Sequence, residues 1–183
     1  KSHDALNSEI HALVEAGVLR NARRSASNRY EFRHALLRQA AYDSLLHADA
    51  ARLHSELADI YTEDYSELRN TSPAILAQHL ASARRWLDAA GLWLQAGLAA
   101  RDVGSTLEAM ARFDNCLHSL DSAKASKESN AIRFRCQLSR GMVIYHHFGP
   151  SDPRVQEALS AAAGVADDLG DRDALSDALT SLS

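Results

Sequence analysis

From His34 onward, apolar and small residues recur at helical spacing with little to interrupt them, and that pattern leaves few folds open. Trp86, Ala90, Trp93, Gly97 and Ala100 follow one another at steps of four, three, four and three before Gly104, which places them along one side of a helix. Met110, Phe113, Leu117 and Leu120 make the inward side of the next helix, and Ser105 with Glu108 has the spacing of a capping box at its start. Leu37, Ala41 and Leu45 form an earlier stripe, and Leu53, Leu57 and Tyr61 another. A later one runs through Val155, Leu159, Ala162, Val165, Ala166 and Leu169, ending at Gly170. Pro73 after Ser72 and Pro153 after Asp152 each suit a first helical position, where the missing N–H is no loss. Nothing in this stretch alternates with period two. Three prolines and eight glycines in 183 residues are also too few for the frequent turns of a sandwich or barrel. The expected fold is therefore all-α, a solenoid of helical hairpins in which each hairpin buries its apolar face by stacking on its neighbours.

Before His34 the pattern differs. Leu6, Ile10, Leu13 and Val14 share a helical face, and Gly17 is placed to end that helix in a left-handed cap. Val18-Leu19 and Tyr30-Glu31-Phe32 read as two short strands around the polar turn 21–28. Helix, strand, basic turn and strand make the back half of a winged helix with a small β-hairpin, whose first helices would lie upstream of Lys1. The expected division is a winged-helix end over 1–46 and helical repeats over 47–183. The last helix, with Leu175, Ala178, Leu179 and Leu182, starts at Asp171 and stops without a cap, so truncation is expected at that end too.

Chemistry is sparse. The balance of 20 basic against 24 acidic residues gives a formal charge of −4, which offers no global attraction to nucleic acid or membrane. No run of about 18 apolar residues occurs, and the first residues lack the apolar core of a signal peptide. Cys116 and Cys136 have no CxxC or Cys/His ligand spacing, so reduced, buried thiols are expected. His146 and His147 are adjacent and point to different sides of a helix, and HExxH is absent; no metal site is expected. There is no GxSxG elbow, and none of the eight glycines precedes Lys-Ser or Lys-Thr in a GxxxxGK[ST] loop. The chain by itself is expected to have no catalytic residues and no cofactor.

The run Tyr30-Glu31-Phe32-Arg33-His34-Ala35-Leu36-Leu37-Arg38-Gln39-Ala40-Ala41-Tyr42 turns from strand to amphipathic helix without Gly or Pro. It resembles the winged-helix segment that follows the nucleotide-binding module in signalling ATPases of the STAND class, whose bacterial members carry Phe-Arg-His as here. Receptor members carry Met-His-Asp, of which only His34 is matched, because Arg33 and Ala35 stand in the other two places. Farther along, Trp93, Gly97, Gly104, Ala109 and Phe113 take the aromatic, small, turn, small and aromatic places of a tetratricopeptide repeat. The order of segments is similar to bacterial ATPase regulators linked to class III adenylate cyclases or to helix-turn-helix transcription factors. The resemblance implies a non-catalytic regulatory, cytoplasmic segment that senses a protein, peptide or small molecule on its repeats. It further implies that His34 reaches the β-phosphate of ADP held by an ATPase module of the same polypeptide, with a cyclase or transcription output.

Two residue groups carry competing readings. An imidazole beside exposed helix N–H groups can donate to a phosphate, yet His34 can equally be a cap histidine without a ligand. Between Gly17 and Ala40, Arg20, Arg23, Arg24, Arg29, Arg33 and Arg38 stand against Glu31 alone. An arginine-rich wing of this kind can contact phosphates of DNA or RNA, as a nucleic-acid-binding module would. It can also solvate an exposed turn or face an acidic neighbouring domain.

Overall fold

A computed structural model describes residues 3–22, 30–63, 72–169 and 176. Among these residues the protein is mostly helical, with one two-stranded antiparallel sheet. The elements are α1 (His3–Glu15), β1 (Leu19–Asn21), β2 (Tyr30–Phe32), α2 (Ala35–Asp43), α3 (His47–Glu63), α4 (Pro73–Ser82), α5 (Trp86–Asp102), α6 (Thr106–Ser122), α7 (Lys127–Phe148) and α8 (Pro153–Leu169). No strand follows Phe32 among the described residues. Two compact units divide the chain, one up to Ala50 and one from Ala51, so the division falls inside α3.

In the first unit α1 ends as its sequence dictates. Gly17 sits at φ +73°, its N–H donates to the Val14 carbonyl and that of Val18 to Leu13, which is the paired bonding of a Schellman cap. The chain then enters β1, which pairs Leu19 with Phe32, Arg20 with Glu31 and Asn21 with Tyr30. None of the described residues up to Ala50 is buried. The stripe Leu37 and Ala41 on α2, with Leu45 just beyond its end, is likewise exposed.

The second unit holds the core. α5 packs against α4, α6 and α7, and α7 packs against α8. One cluster runs through Ala58, Leu76, Ala77, Leu80, Ala89, Ala90, Trp93, Phe113, Cys116, Leu120, Cys136 and Val143. A smaller one joins Phe134 of α7 to Ala162 and Ala166 of α8. Small residues set the closest approaches: a methyl group added at Gly97 would lie 2.5 Å from Phe113 Cε1, and one at Gly141 would lie 3.2 Å from Leu159 Cδ2.

Three details depart from what local pattern suggests. On α3 the buried residue is Ala58, flanked by half-buried His54 and Tyr61, while Leu53 and Leu57 are exposed. Ala58 is the α3 residue that joins the core cluster of the later helices, with Tyr61 packed against it. Ser105 makes no cap to the α6 backbone; its hydroxyl lies 3.5 Å from Glu108 Oε2 instead. The reciprocal box sits at α7, where the Ser126 hydroxyl accepts from the Ser129 N–H and the Ser129 hydroxyl accepts from the Ser126 N–H. Finally, the turn after α4 has Arg84 at φ +60°, with Arg84 N–H on Ala81 and Arg85 N–H on Leu80. That is the same cap as at Gly17, built without a glycine.

Candidate functional site

His34 is the N-cap residue of α2, with extended backbone at φ −131° and ψ 134°. Its carbonyl accepts from the N–H groups of Leu37 at 3.1 Å and Arg38 at 3.3 Å, which starts the helix. Its imidazole makes no cap bond and is exposed. The first turn of α2 carries no acidic residue, so the partial positive charge of the helix start is not offset locally. An exposed ring beside uncapped N–H groups is suited to an anionic oxygen.

Of the basic wing, Arg20 is already engaged: its Nε donates to Glu31 Oε1 at 3.0 Å across the β1–β2 pair. Arg23, Arg24 and Arg29 lie outside the described residues. The Gly170 stop and the helical pattern from Asp171 also lie outside them, apart from Ser176, which is helical and exposed.

The repeat residues meet in the second unit. Trp93 and Gly97 are buried on α5 and face Phe113 and Ala109 on α6, both fully buried. Gly104 turns the chain between them at φ +75°, its N–H on Arg101 and that of Ser105 on Ala100. The Arg112 guanidinium lies 5.5 Å over the Trp93 ring and pairs with Glu108 at 3.0 Å.

Cys116 and Cys136 are free and fully buried on α6 and α7. A hydrogen bond with Cys116, followed by burial, pushes the Cys136 thiol up. It donates to the Phe113 carbonyl at 3.4 Å, so the Cys136 thiol is held in its protonated, unreactive form. Among the described residues no group of three or more His, Cys, Asp or Glu gathers as a metal site. No helix among them is long and apolar enough to cross a membrane.

Two features escaped the sequence. His54 on α3 and His79 on α4 bring their Nδ1 atoms to 2.8 Å, rings 5.0 Å apart, with Tyr61 5.7 Å from His79. Helical spacing of His54, Ala58 and Tyr61 was the available signal, but pairing across 25 residues needs the packed helices. A cleft of about 420 Å³ opens between the α5–α6 turn and the last turns of α7, lined by Arg101, Gly104, Thr106, Met142, Val143, His146 and His147. Thr106 Oγ1 and His147 Nδ1 stand 3.3 Å apart there.

No family model, curated protein or solved structure matches this chain.

Proposed function

We propose that the chain is a non-catalytic regulatory and protein-interaction segment of a STAND-type signalling ATPase. In this reading the first unit is the end of a winged helix and the second an array of tetratricopeptide-like hairpins. The observation that carries it is His34: an exposed imidazole, without a cap bond, at the start of a helix whose first turn lacks a carboxylate. The exposure of Leu36 and Leu37 in the first turn after it supports the same reading, because an ATPase module would cover such side chains and gain about 1.5–3 kcal/mol for each one fully buried. A cytoplasmic protein is proposed, with ATP or ADP held by the ATPase module and not by this segment.

The relay follows from linkage. A protein, peptide or small-molecule signal bound by the repeats favours one packing of repeats on winged helix. Contact of His34 with the β-phosphate of ADP favours the other, so each event opposes the other by the same coupling energy. The output would be a cyclase or a DNA-binding domain. A nucleic-acid role for the wing has less support, since Arg20 is paired with Glu31.

The reading requires a GxxxxGK[ST] loop in the same polypeptide, which the complete gene sequence reveals; a gene without one overturns the ATPase assignment. In the intact protein His34→Ala should remove a hydrogen bond to a charged group, worth about 1.5–3 kcal/mol. Basal output should then rise about tenfold or more, because each 1.4 kcal/mol changes a two-state ratio tenfold. Equal ADP retention in the two proteins would return His34 to a plain cap.

A further inference from the structure

The cleft beside Gly104 combines two kinds of wall. Val143 is buried and Met142 half-buried, giving an apolar floor, while Arg101, His146 and His147 stand exposed around it. Every ionisable side chain in the lining is therefore a base. Arg101 gives its Nε and Nη2 to Asp102 Oδ1 at 2.9 and 2.7 Å, but an exposed pair of this kind is worth only about 0–1 kcal/mol, and an incoming anion can compete for the guanidinium. Thr106, the first residue of α6, also lines the cleft, and no side chain caps that helix start. Its first N–H groups add partial positive charge to the same place, and the carboxylate of that first turn, Glu108, is paired with Arg112.

A volume of about 420 Å³ lies within the range of small-molecule sites. Inorganic anions would leave the floor formed by Met142 and Val143 unused, and a neutral apolar molecule would leave the bases unused. We propose that this cleft binds a small amphipathic organic anion, its acidic group on Arg101, Thr106 and His147 and its aliphatic body on Met142 and Val143. This deepens the reading of the repeats as a sensor and rests on it: occupancy would brace the α5–α6 turn against the end of α7, within the array that is proposed to carry the signal.

The test is a titration of the purified chain with octanoate, followed by amide chemical shifts, with octanol and inorganic phosphate as separate arms. Octanoate should saturate, with shifts centred on Arg101 to Thr106 and Met142 to His147. Octanol and phosphate should each bind at least about tenfold more weakly, one lacking the charge and the other the body. Arg101→Ala and His147→Ala change exposed side chains and should fold normally; Arg101→Ala should weaken octanoate about fivefold or more and leave octanol unchanged. Octanol binding as well as octanoate would show an apolar hole with no anion selectivity and overturn the proposal. Phosphate matching octanoate, or octanoate shifts absent or centred elsewhere, would overturn it too. Failure here leaves the ATPase reading standing on its Walker loop and ADP retention. Conversely, octanoate binding in a protein whose gene lacks a Walker loop would keep the cleft and remove the relay.

Discussion

At Gly97 one methyl group decides whether α5 and α6 can meet. A Cβ there would stand 2.5 Å from Phe113 Cε1 and 2.6 Å from Cδ1, and Phe113 is fully buried. Gly97→Ala should therefore cost about 1–3 kcal/mol by overpacking, and Phe113→Leu added to it should recover part of the loss. Gly91 lies on the same helix with nothing within 4 Å of its would-be Cβ. Gly91→Ala should stabilise by about 0.5–1 kcal/mol through helix propensity alone. Urea unfolding of both variants checks the contrast, and equal effects would remove Gly97 from the close approach. The His54–His79 pair supplies a pH dependence. Burial, then the charge of His54, holds the His79 imidazole below its ordinary value of 6.5. The unfolded chain thus takes up that proton first as pH falls. The stabilisation is complete above the ordinary value and is lost as pH falls towards the depressed one. The urea midpoint of the native protein should drop between about pH 7.5 and 5 by more than that of His79→Asn, with parallel drops arguing against the pair.

Helix ends show which local rules this chain obeys. Gly104 has φ +75° and nothing near its absent Cβ, so Gly104→Ala should cost about 1–2 kcal/mol from backbone strain alone. Arg84 holds the equivalent turn at φ +60° with a side chain in place. Arg84→Gly should relieve that strain and raise stability by up to about 1 kcal/mol, the entropy of glycine offsetting the rest. Opposite shifts in melting temperature for the two variants are the expected outcome, and a destabilised Arg84→Gly would mean that the arginine is useful elsewhere. At α7, Ser126→Ala should cost about 1 kcal/mol by opening the reciprocal cap with Ser129. The same change at Ser105 should cost less, because its hydroxyl reaches Glu108 and not the backbone.

On the scale of the whole molecule, burial is unevenly spread. The core clusters lie on α3 to α8, and no described residue up to Ala50 is buried. Local opening is governed by such differences in buried apolar area. Amide exchange should be slowest on α5, α6 and α7 and faster by at least about tenfold on α1 and α2. Comparable protection on α2 in the isolated chain would show that the unit containing His34 is stable without a covering module, which would weaken the case for one.

Helix positions and types were legible in the sequence because period and caps are local properties. The stripe Trp93, Gly97 and Ala100 is buried as one face, Pro73 and Pro153 open helices, and Gly17 and Gly104 end them at positive φ. What a helix face meets is not local. Leu53 and Leu57 follow the same rule of spacing as the core stripes and yet stay exposed, while Ala58, His54 and Tyr61 turn towards the neighbouring helix. Periodicity records that a face is apolar, and only packing decides which of two candidate faces finds a partner. The cleft likewise joins Arg101 and Thr106 to His146 and His147, some forty residues away along the chain. Their proximity comes from the antiparallel return of α7 past the α5–α6 turn, a consequence of hairpin stacking that no spacing within one segment contains.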